Sequence, residues 1–250
     1  MTASSIVVTR VNDHIAVVTI NRPQVRNATD RQTSARLNEV LTQAEHQGLR
    51  CLIVTGAGDV AFSAGNDIHE LAGLSRPELA TLDEQRQRWT WHWATTPVVT
   101  IAALNGLAYG NGAILAMAAD LRVGSVRSAM KVTATGFGGA NDTWILPSLI
   151  GWSAAKDILL TGRRVPADEL SAMGLLNRLV EPEQVMDTAL SLAEQVAANP
   201  PSGVQAVKRL IHESAGLPLQ ERFDRESTLQ AAYLSANGLS QLSQRSGNGQ

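Results

Sequence analysis

The stretch that decides the fold is NGLAYGNGAILA, residues 105–116, called here the second glycine turn. It follows the apolar run Val98–Leu104 and passes through three glycines into an apolar helical pattern. This order predicts a central parallel strand that leads through a tight turn into a helix. The N-terminus of such a helix leaves backbone N–H groups unpaired, so the turn can hold an oxygen atom that becomes negative.

A similar stretch, FSAGNDI at residues 62–68, is called the first glycine turn, and it also follows an apolar strand. Backbone donors from both turns, aimed at one point, would stabilise a carbonyl oxygen as it gains charge. One good donor contributes about 3–4 kcal/mol to the transition state. On its glycines alone the second glycine turn is better explained as an ordinary strand-to-helix connection whose glycines serve packing, but the pair of turns favours a binding site. A Rossmann fingerprint is excluded because the third glycine of GxGxxG is absent.

Strands and helices alternate through the first part of the chain. A helix capped by Thr29 or Asp30 follows a predicted hairpin, and Ser75 with Glu78 forms a capping box for another helix. The predicted strands are Ile6–Arg10, Ile15–Ile20, Arg50–Thr55, Val98–Leu104 and Leu121–Ser125. This alternation predicts a parallel α/β core with right-handed crossovers.

From about Ser153 the pattern becomes helical. Helices are predicted at Ser153–Leu160, Ala167–Met173, Glu183–Ala198, Pro201–Ala215 and Leu219–Ser235. The chain therefore divides into an α/β core at residues 1–190 and a helical region at residues 191–250, which ends in a polar tail from Ser240. The helical part has more apolar positions than it can bury on itself.

Composition excludes several partners. The formal net charge of -2 gives no basis for binding nucleic acid or an anionic membrane. The uncharged stretch Trp89–Ala119 is interrupted by Pro97 and by glycines, so it is not predicted to span a membrane. Cys51 is the single cysteine and lies in an apolar run, which indicates a reduced thiol. Residues 1–9 show no basic segment followed by an apolar run, so a cytoplasmic location is expected.

Four segments, in order, resemble the enoyl-CoA hydratase/isomerase (crotonase) superfamily over nearly the whole chain. They are NRPQVRNA at residues 21–28, the first glycine turn, residues 97–120, and Leu160–Gly162 with Gly174-Leu175. The resemblance implies a crotonase-like α/β fold, in which a spiral ββα core with parallel strands precedes a C-terminal helical trimerisation region. It also implies an acyl-CoA thioester as substrate, no metal, no cofactor beyond the coenzyme A of the substrate, and a homotrimer or homohexamer.

The resemblance further implies roles for individual residues. The N–H groups of Ala64 and Asn111 would hold the thioester oxygen. Contacts to coenzyme A would come from Val25, Arg26 and Ala28 in the NRPQVRNA turn, and from Asn66, Asp67 and Ile68 in the first glycine turn. Arg26 would pair with a phosphate, and its alternative is a solvated surface arginine.

Both glutamates that the hydratases use are missing. One position holds Ile114, and the segment Met130–Gly139, where the other would lie, contains no carboxylate. The site therefore lacks a pair of groups to activate water across a C=C bond. We expect an acyl-CoA lyase or isomerase that stabilises an enolate and hydrates poorly. The alternative from another class is a catalytically silent acyl-CoA-binding protein.

Asp142 is the one carboxylate in the loop that faces the thioester in this family. Its string GFGGANDTW, residues 136–144, resembles the nucleophile loop of 4-chlorobenzoyl-CoA dehalogenases. Asp142 would transfer a proton or attack the acyl group, so a hydrolase or dehalogenase-like enzyme is a further alternative. The position of the histidine base in those enzymes corresponds to about Gln85 in this sequence. The nearest histidine is His92, and this difference argues against dehalogenation. The structural alternative is a cap for a turn that begins at Thr143.

Other residues have competing interpretations. Asn66 occupies the position of the functional histidine of methylmalonyl-CoA decarboxylases, and His69 is predicted on a helix surface. Trp89 and Trp93 share a helix face, whereas Trp91 points elsewhere. Packing in the core or between subunits competes with a role for these rings in an aromatic acyl pocket.

Overall fold

Two sheets organise the chain. The computed structural model describes the backbone of residues 4–237 and the side chains through residue 234. The larger sheet contains, in spatial order, β1 (Ile6–Arg10), β2 (Ile15–Ile20), β3 (Cys51–Gly56), β5 (Val99–Leu104), β7 (Leu121–Ser125) and β10 (Arg178–Val180). The smaller sheet contains β4 (Ala61–Ser63), β6 (Leu107–Tyr109), β8 (Ala129–Lys131) and β9 (Val165–Pro166). From β3 to β8 the chain visits the two sheets in turn, which produces the spiral α/β core that the resemblance implies.

Five of the six strands of the larger sheet form as the sequence predicts, whereas β10 lies in the part of the chain that is predicted to be helical. β1 and β2 make an antiparallel hairpin in which Ile6 lies opposite Ile20, and the other neighbouring strands are parallel. β5 lies between β3 and β7, and all six of its residues are buried. An apolar strand covered on both faces is typical of the centre of a parallel sheet. The prediction for this strand is therefore confirmed.

The smaller sheet is not predicted by the sequence pattern. Its strands β4, β6 and β8 have three residues each, which is too short for a periodic pattern to be recognised. β6 pairs in parallel with both β4 and β8. Because β4 leads into the first glycine turn and β6 into the second, this pairing sets the two turns side by side.

Two long helices, α1 and α3, begin at capping residues that the sequence predicts. The α-helices of the described chain are α1 (Arg31–His46), α2 (Ile68–Ala72), α3 (Arg76–Thr95), α4 (Asn111–Ala118), α5 (Leu146–Ile150), α6 (Trp152–Thr161), α7 (Ala167–Ala172), α8 (Val185–Ala197), α9 (Pro201–Glu213) and α10 (Leu219–Asn237). The Asp30 carboxylate accepts a hydrogen bond from the Thr33 N–H at 2.7 Å, so Asp30 caps α1 and Thr29 does not. At α3 the Glu78 carboxylate accepts from the Ser75 N–H at 2.8 Å, as the capping box predicts.

A buried arginine closes the C-terminal end of α4. Arg122, in β7, donates from Nη1 to the Ala119 carbonyl at 2.6 Å and to the Ala116 carbonyl at 3.3 Å. Its Nε donates to the Leu175 carbonyl at 2.6 Å. The last carbonyls of a helix have no partner within it, and the guanidinium supplies one. Burial lowers the pKa of Arg122 to about 10, partly opposed by Asp120, so the group stays charged at neutral pH.

The chain divides into two compact units between Asn199 and Pro200. The predicted boundary at residue 190 falls inside α8, which packs against β3, β5 and β7 and so belongs to the core. In the second unit, α9 packs against α10. The predicted polar tail from Ser240 lies outside the described residues. Within residues 4–237, no helix combines the length and the apolar character that crossing a membrane requires.

Candidate active site

The two glycine turns are in direct contact. Gly65 has a φ of 93°, and a Cβ there would lie 2.6 Å from the Tyr109 carbonyl oxygen and 2.9 Å from the Asn111 nitrogen. A Cβ at Gly112 would lie 2.3 Å from the Ser63 carbonyl oxygen. Neither position has room for a side chain, so both require glycine. The structure thus brings together the two turns that the sequence singles out.

Two backbone N–H groups at this contact have no acceptor. Asn111 is the first residue of α4, where a helix leaves its N–H unpaired. Asn66 directly follows Gly65, which lies against the Asn111 nitrogen. Within residues 4–237 neither of these two N–H groups donates a hydrogen bond. The contact therefore carries two free donors on neighbouring segments.

Ala64 is not one of these donors. Its N–H donates to the Arg26 carbonyl at 2.9 Å and is used within the fold. The prediction that Ala64 holds a ligand oxygen is therefore wrong, and the free N–H in this turn belongs to Asn66. The sequence gives no sign of this difference, because the acceptor lies in a distant turn that only the folded chain brings close.

The residues predicted to contact coenzyme A lie on two adjacent segments. The Thr29 N–H donates to the Gly65 carbonyl at 2.7 Å, and the Asp67 N–H donates to the Thr29 carbonyl at 3.0 Å. This short parallel bridge sets the NRPQVRNA turn beside the first glycine turn. The six positions differ in solvent exposure. Arg26 and Ile68 are exposed, Val25, Asn66 and Asp67 are half-buried, and Ala28 is buried. The six positions therefore form one continuous region.

The Asp67 carboxylate is held by contacts within the fold. It accepts a hydrogen bond from Arg22 Nη2 at 2.9 Å and another from the His69 N–H at 3.1 Å, which caps α2. Partial burial by itself would raise the pKa of Asp67, but these hydrogen bonds outweigh it and hold the pKa below the usual value. The side chain of Asp67 therefore fixes the turn, and its backbone N–H and carbonyl are also hydrogen-bonded within the fold, to Thr29 and Leu71.

A small pocket of about 40 Å³ adjoins the second glycine turn. Its lining includes Ser34 on α1, Arg86, Trp89 and Trp93 on α3, and Asn111 on α4. Trp93 is almost completely buried, so it serves the core and the pocket together. Trp91 points elsewhere, as predicted, and its ring packs against Trp144 with centroids 5.9 Å apart.

Asp142 is a buried carboxylate. The residue is 2% exposed, and its Oδ2 has no hydrogen-bond partner in the described chain. Burial raises the pKa of Asp142 to about 7. Near neutral pH the group therefore exists in both protonation states, which is the condition for accepting and returning a proton.

The capping alternative for Asp142 is not observed. Its backbone carbonyl, and not its carboxylate, accepts hydrogen bonds from the N–H groups of Ile145 and Leu146. Asp142 has a φ of 63°, a left-handed conformation in which aspartate and asparagine are enriched. No hydrogen bond of the described chain joins Asp142 to Asn66 or Asn111. Trp144, two residues further on, packs against Trp91 on α3, which does not line the pocket.

The segment expected to carry a second hydratase glutamate lies beside the second glycine turn. The Gly110 N–H donates to the Lys131 carbonyl at 2.9 Å, and a Cβ at Gly110 would lie 3.1 Å from Thr133 Oγ1. Residues 130–139 therefore pass close to the site, and they contain no carboxylate. Ile114, on the first full turn of α4, is half-buried.

The histidines near these turns do not face the free donors. His69 is exposed on α2, as predicted. Nδ1 of His92 lies 2.9 Å from Asn38 Oδ1, and Nε2 of His92 lies 2.9 Å from Glu45 Oε1, both at hydrogen-bond distance. Both ring nitrogens of His92 are thus occupied by contacts within the fold.

The sequence patterns do not single out Arg86 and Ser34. Arg86 stands four residues after Leu82 and seven before Trp93, and these three residues are buried on one stripe of α3. A charged residue on the buried stripe of a helix is rare, so this spacing is a signal that could have identified it. For Ser34 the sequence offers no comparable signal.

In this fold, strands of two mostly parallel sheets lead into two glycine turns that touch each other. The free backbone donors of these turns lie beside a small pocket. The family model described as enoyl-CoA hydratase/isomerase matches residues 10–244. The chain belongs to this family.

Known proteins resemble the chain over most of its length. YngF of Bacillus subtilis is 35% identical over 228 residues, which cover 87% of this chain and 88% of YngF. The short-chain-enoyl-CoA hydratase of Clostridium acetobutylicum is 33% identical over 202 residues, covering 79% of this chain and 77% of that protein. The crystal structure of an enoyl-CoA hydratase from Bacillus anthracis matches with a TM-score of 0.89 at 28% identity, over 97% of both chains.

Proposed function

We propose that the protein processes acyl-CoA thioesters by stabilising an enolate, with the N–H groups of Asn66 and Asn111 holding the thioester oxygen. The observation that carries this proposal is the contact between the glycine turns, where both N–H groups are free. Removal of a proton next to the thioester moves negative charge to the carbonyl oxygen. Each well-placed donor then contributes about 3–4 kcal/mol to the transition state.

Coenzyme A is proposed to lie along the NRPQVRNA turn and the first glycine turn. The bridge through Thr29 makes these two segments one surface. Arg26 is exposed there and takes part in no ion pair of the described chain, which suits it to a phosphate. The other proposed contacts are Val25, Ala28, Asn66, Asp67 and Ile68.

Efficient hydration is not part of the proposal, although the relative in Clostridium acetobutylicum is named a hydratase. Addition of water across a C=C bond needs groups that position and activate it, and each such group contributes about 10²–10⁴-fold. Ile114 and the carboxylate-free segment Met130–Gly139 supply none. A lyase or isomerase reaction through the enolate requires only one acid or base.

Asp142 is proposed as that acid or base. A pKa of about 7 leaves the carboxyl close to half ionised at neutral pH, which favours proton transfer. The same burial supports a second candidate, hydrolysis of the thioester through Asp142. Attack by the carboxylate needs the ionised form, however, and burial makes that form less abundant.

Hydrogen exchange tests the proposal. Incubation with butyryl-CoA in D₂O, followed by mass spectrometry, detects enolate formation as deuterium uptake next to the thioester. We expect uptake by the wild type and a loss of about 100-fold or more in Asp142→Asn. Asp59→Asn, which changes an exposed carboxylate, is the control. Binding of butyryl-CoA without any exchange would instead support the catalytically silent alternative. Crotonyl-CoA hydration at rates typical of hydratases would show that another group replaces the glutamates.

A homotrimer or homohexamer in the cytoplasm is also proposed. α9 has no buried residues, and Val207 and Ile211 on it are exposed, as are Leu219 and Phe223 on α10. Apolar side chains in this number are typical of an interface. The buried thiol of Cys51, which forms no disulfide in the described chain, supports a reducing compartment. Light scattering after size exclusion tests the assembly, and a monomer at micromolar concentration would contradict it.

A further inference from the structure

Arg86 is a buried cation without a carboxylate partner. The residue is 8% exposed and lies on the inner face of α3. Its Nη2 reaches the Thr29 carbonyl at 3.4 Å, a long hydrogen bond, and its Nε has no partner in the described chain. No carboxylate of residues 4–237 forms an ion pair with it. A buried charge is normally paired, so this arrangement needs an explanation.

The acidic residues nearest to Arg86 are engaged elsewhere. Glu70 accepts two hydrogen bonds from the Arg31 N–H, at 2.9 and 3.2 Å. Asp30 caps α1, and Asp83 accepts a hydrogen bond from Gln87 at 2.6 Å. Burial lowers the pKa of the Arg86 guanidinium, and the charges of Glu70 and Asp83 offset only part of that effect. The fold therefore holds Arg86 in place without neutralising it.

Arg86 shares its pocket with a second unsatisfied group. Ser34 also lines the cavity, and its Oγ is buried without a partner in the described chain. Two hydrogen-bond donors, one of them charged, thus line a single cavity together with Asn111, whose N–H is one of the free donors of the glycine turns. Trp89 and Trp93 supply apolar walls. A pocket with apolar walls and a few polar groups is typical of a site for a small ligand group.

We infer that Arg86, assisted by Ser34, binds the free carboxylate of the acyl group, so that the substrate is the coenzyme A monothioester of a short dicarboxylic acid. This inference rests on the proposed function, since it places the acyl group in the pocket that adjoins the oxyanion donors. The guanidinium presents its donors in a fork that matches a carboxylate.

The pocket has room for a carboxylate and a short carbon chain. A volume of about 40 Å³ is roughly three times the ~10–15 Å³ that one water requires, which suits a carboxylate and one or two carbons. An acyl group of about four carbons therefore fits. A guanidinium stabilises the carboxylate more than a transition state in which the negative charge leaves this group as CO₂ forms, so the ion pair opposes decarboxylation.

Comparison of two matched ligands tests the inference. Carba analogues of succinyl-CoA and butyryl-CoA, in which a methylene replaces the thioester sulfur, have four-carbon acyl groups that cannot be hydrolysed. They differ in whether the chain ends in a carboxylate or a methyl group. Isothermal titration calorimetry gives the affinity of the wild type for each. We expect the succinyl analogue to bind at least about 10-fold more tightly, since hydrogen bonds to charged groups are the stronger ones.

Two arginine variants assign the preference to a residue. Arg86→Met should remove the preference through loss of affinity for the succinyl analogue, and Arg86→Lys should retain part of it. Arg88→Met is the matched control, because Arg88 is two residues away on α3, is 63% exposed and pairs with Glu84. It should keep the wild-type preference. Thermal melting of each variant confirms that it is folded.

Each outcome has a defined meaning. Tighter binding of the butyryl analogue, or equal binding, overturns the inference and leaves the proposed function standing. A succinyl preference that survives in folded Arg86→Met also overturns it and leaves Arg86 a structural residue. If neither analogue binds, the proposed function fails and the inference fails with it. If Arg86→Met does not fold, Arg86→Lys takes its place: a reduced succinyl preference in folded Arg86→Lys supports the inference, and an unchanged preference overturns it.

Discussion

Replacement of Asp142 by asparagine should remove a pH dependence from the stability of the protein. Burial raises the pKa of Asp142 from its usual 3.8 to about 7, a difference of about 3 pH units. At 1.36 kcal/mol per unit, ionisation of this group costs the folded state about 4 kcal/mol relative to the unfolded chain. Because the folded state binds the proton more tightly, the resulting stability is fully present below pH 3.8. It declines as pH rises and is lost above about pH 7.

Asparagine is a suitable probe because it cannot ionise and readily adopts the positive φ that Asp142 has. Urea unfolding, followed by tryptophan fluorescence at one protein concentration, gives the free energy of unfolding at each pH. We expect the stability of Asp142→Asn minus that of the wild type to rise by up to about 4 kcal/mol between pH 4 and pH 8. The exposed carboxylate variant Asp59→Asn should show no such rise. A constant difference for Asp142→Asn over this range would refute the assignment of the raised pKa to burial.

Three further predictions concern the donors, the core and the surface. Asn111→Pro removes the N–H at the first position of α4, where proline is well tolerated, so Tm should change little. The rate of deuterium exchange into butyryl-CoA should fall about 10²–10³-fold, because one oxyanion donor is lost. Asn111→Ala keeps the N–H, and its exchange rate should stay close to that of the wild type. Equal activity of the two variants would exclude this N–H as a donor. Arg122→Met leaves buried carbonyls of Ala119 and Leu175 without their donor and should cost about 3 kcal/mol or more in urea unfolding; a loss below 1 kcal/mol would contradict the role of Arg122 as a cap. Arg26→Gln should weaken acyl-CoA binding about 10-fold at low salt and less at high salt, and a salt-independent affinity in both proteins would count against a phosphate contact.

Long elements with strong local signals could be predicted from the sequence. β1, β2 and β7 have the predicted bounds, and α1 and α3 begin at their caps. These elements carry their own information, in apolar runs, periodic faces and capping residues. The smaller sheet carries none, because its three-residue strands are stabilised by neighbours distant in the chain.

The site could be predicted only in part, for the same physical reason. The two glycine turns can be recognised in the sequence from their glycines and the apolar strands before them, and the structure places them in contact. Which N–H is free within a turn depends on long-range pairing. The Arg26 carbonyl accepts a hydrogen bond from the Ala64 N–H, whereas the Asn66 N–H has no acceptor in the described chain. The lack of a partner for Arg86 likewise depends on where Glu70 and Asp83 find theirs. Local patterns report which groups are present, whereas the folded chain determines which of them remain unsatisfied.

The interlocked glycines limit how this protein can be redesigned. Gly65 leaves the space that the second turn occupies, and Gly112 leaves the space that Ser63 occupies. Each loop is thus shaped by the other, and neither is an independent module. A chimera that receives one turn from a relative should fail to position the donors even if it folds. Substrate range should therefore be altered by exchanging both turns together, or by changing the pocket wall on α3 while leaving the turns intact.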